Sequence, residues 1–276
     1  MARSTHPSAQ AGFADRIVAD TLDDALSSGA RVYGIVGLQG SGKSTLAAQV
    51  AALAERRGLR AVTLSIDDCY LDRDAREALG RDVHPLLVSR GPPGTHDLAL
   101  ACATLDALRA GERVAVPRFD KLGDRRLPAR DWPQVDAADL VLFEGWCVKV
   151  PAQDAAELVA PLNALERDED RDGRWRQYCN DALAHDYPTL WARIDRLLFL
   201  HGPGFERVPA WRWQQERALS AQAHADGRAR RAMTREDIAR FVKHFERVSR
   251  QAQRTLPAIA ERVLRIDAER RPLELS

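Results

Sequence analysis

The sequence predicts an α/β fold: a parallel sheet of about five strands, helices on both faces, and an inserted helical patch. Three observations carry this. Short apolar, β-branched runs alternate with longer stretches of helical spacing. The first run, residues 32–36, passes through a glycine-rich turn directly into a helix. Two later runs, 61–66 and 140–143, end in acids, as strands do when they deliver side chains to one edge of an open parallel sheet.

The elements follow in order. Residues 1–10 read as a frayed tail without an apolar region of the secretory kind. Residues 13–26 carry Phe13, Ile17, Val18 and Leu22 on one helical face, and Ser27-Ser28-Gly29 ends the helix. After the first strand a helix runs to about residue 57, with Gly58 as its stop. The second strand, 61–66, precedes a short helix at 72–80. Residues 83–95 form a loop rich in proline and glycine. Thr95 or Asp97 caps a helix reaching about residue 110, where Gly111 breaks it. Residues 113–116 are extended, and 117–133 form a long polar loop of the kind that is functional or disordered. A third strand spans 139–145. Residues 151–187 read as mostly helical with an interruption at 168–173, and 195–200 as the fourth strand. A long helix covers 205–225, followed by a basic turn at 227–231. Thr234 caps another helix, with Asp237 at its third position, and Pro257 follows it. Residues 262–266 are the last strand expected.

Composition narrows the function classes. The chain has 276 residues, 45% of them hydrophobic, enough for a sizeable core. A formal net charge of +1 gives no global field towards nucleic acid or membrane, and no basic stripe with interleaved aromatics is visible. The cluster Arg228-Ala229-Arg230-Arg231 reads as a solvated turn or part of a moving segment. No apolar stretch is long enough to span a bilayer. Cys69, Cys102, Cys147 and Cys179 form no C-x-x-C pair, so neither zinc nor a disulfide framework is expected, and a cytoplasmic setting fits. Oligomeric state is left open. Lysine occurs only at Lys43, Lys121, Lys149 and Lys243 in an arginine-rich chain, which makes the first of them stand out.

Lys43 lies in Gly37-Leu38-Gln39-Gly40-Ser41-Gly42-Lys43-Ser44, which fits G-x-x-x-x-G-K-[ST] between a strand and a helix. The glycines let the backbone wrap a phosphate, and the loop N–H groups and the helix start through Thr45 face the anion. Lys43 is placed for the β- and γ-phosphates and the Ser44 hydroxyl for Mg²⁺, so ATP and Mg²⁺ are the expected cofactors. Asp67 and Asp68 follow the second strand directly. Either can accept a proton from an attacking hydroxyl or hold Mg²⁺ through water, with Asp67 first as base, and either can instead cap the next helix. Glu144 ends the third strand in a Walker-B-like position and is the further metal candidate, or an ordinary strand-end acid.

Several stretches together resemble the plant and fungal type of D-glycerate 3-kinase. They are residues 37–44; Ser65-Ile66-Asp67-Asp68-Cys69-Tyr70; Arg90-Gly91-Pro92-Pro93-Gly94-Thr95-His96-Asp97; Phe119-Asp120-Lys121 within 116–125; Phe143-Glu144-Gly145-Trp146; Pro161-Leu162-Asn163; and Trp213-Gln214-Gln215-Glu216. Uridine kinase, phosphoribulokinase and bacterial pantothenate kinase share the layout more distantly. Cys69 departs from the Phe common there. The resemblance implies a P-loop NTPase fold, one kinase domain over 31–276 after an N-terminal tail and helix (1–30), a helical insertion at about 151–190 and a lid helix at about 205–231. It implies Asp67 as base, and a substrate site between the Asp67 loop, the 95–97 turn and the 118–126 loop, drawing on Asp68, Tyr70, His96, Asp97, Arg118, Asp120, Lys121 and Arg125. An acid substrate needs a cation. Arg118 is favoured, with Lys121, Arg125 and Arg126 as alternatives. Arg212, or alternatively Arg217, is the lid arginine that neutralises the transferring phosphoryl group. The expected reaction is transfer from ATP to D-glycerate, giving 3-phosphoglycerate. The rivals are another small acceptor, nucleoside or pantothenate-like, and a nucleotide-binding regulator with weak ATPase activity.

Overall fold

The computed structural model describes residues 12–275 apart from 122 and 226–232. The basic cluster at 228–231, the end of the expected lid helix and the tail at 1–10 lie outside the described residues. In chain order the elements are α1 (Asp15–Ser27), β1 (Val32–Gly37), α2 (Lys43–Arg56), β2 (Ala61–Ser65), α3 (Arg73–Asp82), α4 (Leu98–Ala110), β3 (Val114–Ala115), β4 (Phe119–Asp120), β5 (Arg125–Arg126), β6 (Gln134–Val135), β7 (Leu140–Gly145), α5 (Ala164–Glu169), α6 (Arg174–His185), α7 (Pro188–Trp191), β8 (Arg196–His201), α8 (Val208–Ala225), α9 (Arg235–Ile259), β9 (Arg262–Ile266) and β10 (Pro272–Leu275). No helix among the described residues is long and apolar enough to cross a membrane.

One sheet organises the molecule, in the order β10-β9-β8-β1-β7-β2. The five strands from β2 to β9 run parallel. Their side chains alternate between two cores, which is why the strands are apolar throughout. Val32, Val141, Phe143, Leu197 and Phe199 enter the core shared with α4, α6, α7 and the middle of α9. Tyr33, Ile35, Leu142, Leu198 and Leu200 enter the other, with α1, α2 and the start of α8. Buried Asp24 ties α1 to the sheet by accepting hydrogen bonds from the Tyr33 hydroxyl at 2.7 Å and from Arg196 at 2.6 and 2.8 Å.

Four sequence expectations change. The strand at 262–266 is not the last, because β10 pairs antiparallel with β9 and forms the sheet edge. The helix begun at Thr234 does not stop before Pro257. The capping box with Asp237 forms, but α9 continues through Pro257 to Ile259. Proline there removes one N–H in the last turn, and the buried side of α9 (Phe245, Val248, Ala252, Leu256) outweighs that loss. Residues 151–163 contain only a short 3₁₀ turn, Ala155–Leu158, so the helical patch is the α5–α6–α7 run. The polar loop at 117–133 is partly ordered by backbone pairing, with β4 against β5, while β3 and β6 pair on either side.

Candidate active site

The carboxyl ends of β1, β2 and β7 meet where α2 begins. Between β1 and α2 the loop turns tightly, with positive φ at Gly40 and Gly42. Gly40 has a second constraint. A Cβ there would lie 2.6 Å from the Trp211 Cβ, so only glycine lets α8 pack on the loop. Buried Lys43 donates from Nζ to the Leu38 carbonyl at 3.1 Å. Burial pulls its pKa down, and the charges of Glu144 and Asp67 oppose that. The Ser44 hydroxyl donates to Glu144 Oε1 at 2.8 Å. Strand register explains this meeting, since Glu144 sits opposite Ile35 of β1 and Ser65 of β2. Two hard oxygen donors side by side next to a phosphate loop are a donor set suited to Mg²⁺, which retains waters and phosphate oxygens as its other ligands.

Asp67 lies in the 3₁₀ turn Ile66–Cys69 that ends β2. Its carboxylate accepts from Lys121 Nζ at 2.7 Å. Burial pushes the Asp67 carboxyl up, but the Lys121 charge and hydrogen bond, with a further bond from the Tyr70 hydroxyl, more than offset it. The group is held well below the usual carboxylate range. The Asp67 charge in turn raises Lys121. Asp68 points elsewhere. It accepts from Phe119 N at 3.3 Å and pairs with Arg118 Nη1 at 3.4 Å, and burial raises its pKa against those two partners.

Gln39, Gly40, Lys43, Ser44, Asp67, Tyr70, Lys121, Glu144 and Arg212 thus line one cavity of about 140 Å³. Arg90, Trp146, Gln215, Phe241 and Phe245 complete its wall. The other sequence candidates stand outside this lining. Asp97 caps α4, accepting from Leu100 N at 3.0 Å, and pairs with Arg126 at 3.0 Å. Asp120 and exposed Arg125 are cross-strand partners in β4 and β5. His96 is buried behind Tyr70, ring centroids 4.9 Å apart, with Nδ1 against the Tyr187 hydroxyl. Burial lowers its pKa to about 4, so the ring is neutral near pH 7. Of the two tryptophans on α8, Trp211 is the buried one, bonded through Nε1 to the Ala268 carbonyl at 2.8 Å. Trp213 carries the Arg235 guanidinium on its ring. Arg212 rests 5.8 Å over the Phe241 ring and 3.8 Å from Glu216, whereas Arg217 is exposed.

Arg90 and Trp146 lie inside stretches that carry the family resemblance, so their signal was present without a role attached. Phe241 and Phe245 are one helical turn apart, a pattern that says only "buried face" until α9 is docked. Several buried polar atoms find no hydrogen-bond partner among the described residues: the Gln39 amide, Ser41 Oγ, Trp146 Nε1 and His96 Nε2.

Fold and cavity together define a P-loop phosphotransferase: a strand–loop–helix phosphate cradle, with acids from neighbouring strands facing it. No family model matches the chain. The mug58 kinase of Schizosaccharomyces pombe, itself uncharacterized, is 32% identical over 231 residues, spanning 78% of each chain. The chloroplastic D-glycerate 3-kinase of Arabidopsis thaliana is 31% identical over 227 residues; the match covers 78% of this chain and 46% of that longer protein. Among solved structures, D-glycerate 3-kinase from Cryptococcus neoformans superposes with a TM-score of 0.77 over 95% of this chain and 99% of its own, at 23% identity. The chain belongs to the family of P-loop small-molecule kinases that includes the mug58 kinase and D-glycerate 3-kinase.

Proposed function

We propose that the protein transfers the γ-phosphoryl group of ATP to a hydroxyl of D-glycerate, giving 3-phosphoglycerate. The observation that carries the reading is that Lys43 and Ser44 of the phosphate loop, Asp67, and the cations Arg90 and Lys121 line the same cavity. The relatives named as D-glycerate 3-kinases support the choice of acceptor.

In this reading the loop N–H groups and Lys43 hold the β- and γ-phosphates. Ser44 and Glu144 would hold Mg²⁺, with Asp67 as the further candidate; the ion would neutralise charge on the phosphate oxygens. Asp67 orients the acceptor hydroxyl and takes its proton. Its low pKa makes it a weak base, which suits a loose transition state in which the proton leaves late and positioning dominates. Arg212, from α8, covers the transferring group and neutralises it. We read α8 as the lid over a single kinase domain, with Asp68, His96, Asp97, Arg118, Asp120 and Arg125 as acceptor-side residues outside the cavity lining.

The test is a coupled assay of ADP release with D-glycerate, L-glycerate, uridine, pantothenate and no acceptor, followed by product identification. Turnover confined to D-glycerate is expected. Turnover only with another acceptor, or hydrolysis indifferent to acceptors, would overturn the reading.

A further inference from the structure

The glycerate reading leaves one chemical requirement unassigned. A hydroxy acid has a hydroxyl end and a carboxylate end, and the carboxylate needs a fixed cation inside the same cavity. The sequence candidates Arg118 and Arg125 do not line it, and Arg118 is already paired with Asp68. Among the described residues four cations do line it: Lys43, Arg90, Lys121 and Arg212, against two carboxylates, Asp67 and Glu144. Lys43 belongs to the phosphate loop, Lys121 is bonded to Asp67 at 2.7 Å, and Arg212 stands on the helix above. We propose that Arg90 is the receptor for the acceptor's carboxylate, an assignment that rests on the glycerate reading.

Arg90 is held in place before any ligand arrives. Its guanidinium donates to the Asp124 carboxylate and, at 3.0 Å, to the Lys121 carbonyl, and it lies 5.6 Å over the Phe119 ring. Asp124 does not cancel its charge. That carboxylate is shared with the buried Arg76 at 2.9 Å, so two guanidiniums face one acid. The backbone beside Arg90 is equally fixed. Gly91 has φ of +113°, and a Cβ there would fall 2.5 Å from the Phe245 ring. Its N–H donates to Thr95 Oγ1 at 2.9 Å, and Thr95 Oγ1 donates to the Pro92 carbonyl at 2.7 Å. The charge of Arg90 is felt at Tyr70 and at Arg212, which stand on different walls of the cavity. Tyr70 also hydrogen-bonds Asp67, and Arg90, Tyr70 and Asp67 line the same cavity. A planar guanidinium held in this way offers its remaining N–H groups to a carboxylate at little cost in side-chain entropy. The same cation that favours an acid acceptor disfavours a neutral one, and specificity then lies in the 90–97 loop and not in the phosphate loop.

The experiment uses the full chain unaltered and as Arg90→Gln and Arg90→Lys, with steady-state kinetics in D-glycerate and ATP and with D-lactate, which keeps the carboxylate but lacks the terminal hydroxyl, as a competitive inhibitor. Removing a charge-assisted hydrogen bond worth about 1.5–3 kcal/mol corresponds to a rise of roughly 10- to 150-fold. Arg90→Gln is expected to raise the KM for D-glycerate and the Ki of D-lactate together by such a factor, with the KM for ATP unchanged and Arg90→Lys between. An unchanged D-glycerate KM overturns the Arg90 assignment alone. A parallel loss of ATP affinity and kcat reads as a structural role and overturns it too. If the unaltered chain does not turn over D-glycerate, the function reading falls and takes this one with it. Should Arg90→Gln not fold, Arg90→Lys against D-lactate decides the matter by the same criterion.

Discussion

Asp67 and Lys121 form the pair on which the proposed chemistry turns, and each alters the other's titration. Asp67→Asn removes the proposed proton acceptor without changing the phosphate loop. We expect kcat to fall by about 10²- to 10⁴-fold with little change in the KM for ATP, measured by steady-state kinetics. Lys121→Ala acts through pH. Burial raises Asp67, and the Lys121 charge and hydrogen bond are the next largest influences holding it down. Without them the acid limb of the kcat/KM profile should move to higher pH; an unmoved limb would mean that Asp67 is not the group titrating. Two buried histidines set a separate pH dependence. His96 and His244 fall from 6.5 to about 4 on folding, both mainly by burial. Between those values the unfolded chain binds more protons, so their contribution to stability is present above pH 6.5 and is lost as pH falls towards 4. Urea unfolding at pH 7 and pH 5 should show this loss, and His244→Gln should reduce it.

At the scale of elements, the site depends on where loops are pinned. The 90–97 loop is fixed by bonds from Leu71 N to the Thr95 carbonyl at 2.9 Å and from Asp97 N to the Cys69 carbonyl at 2.7 Å. Gly91→Ala places a side chain on a backbone with φ of +113° and into the Phe245 ring. A destabilisation of about 1–3 kcal/mol is expected by urea denaturation, with loss of acceptor affinity where the variant folds. The turn between β9 and β10 reaches the phosphate loop from the opposite end of the chain. Arg270 donates to the Gly40 carbonyl and lies 5.2 Å over Trp211, whose Nε1 holds the Ala268 carbonyl. Arg270→Ala should raise the KM for ATP several-fold while leaving the D-glycerate KM nearly unchanged, and equal effects on both substrates would count against a role confined to the loop. Local signals for such elements were uneven. The Asp97 cap and the Thr234–Asp237 capping box could be read from side-chain chemistry alone. The strand β10 could not. Pro272-Leu273-Glu274-Leu275 is too short to show a period, and its pairing with β9 comes from docking at a sheet edge.

For the whole molecule, ligand and fold are coupled. The phosphate loop, α8 and the 90–97 loop come from distant parts of the chain, and in the proposed reaction a bound nucleotide and ion would bridge them. ATP with Mg²⁺ at about 100 times its Kd should add about 2.7 kcal/mol to unfolding, read as a higher Tm by calorimetry. Chelation, or Lys43→Ala, should abolish most of that gain; a Tm indifferent to nucleotide would refute the phosphate-loop reading.

What the sequence by itself determined is whatever depends on neighbouring residues. It set the alternation of strands and helices, the phosphate loop at 37–44, and the acids that end β2 and β7, because backbone conformation and capping are local. Only the tertiary structure decided which charges share a cavity. Arg90 and Lys121 are 31 residues apart, and Phe245 and Tyr70 are further apart still. Arg118, favoured by its place in a motif, turns to Asp68, while Arg90 is aimed by Asp124, Phe119 and the Gly91 turn. The physical reason is that a side chain's charge is set by its type, but its direction is set by what packs behind it, and those partners come from elsewhere in the chain.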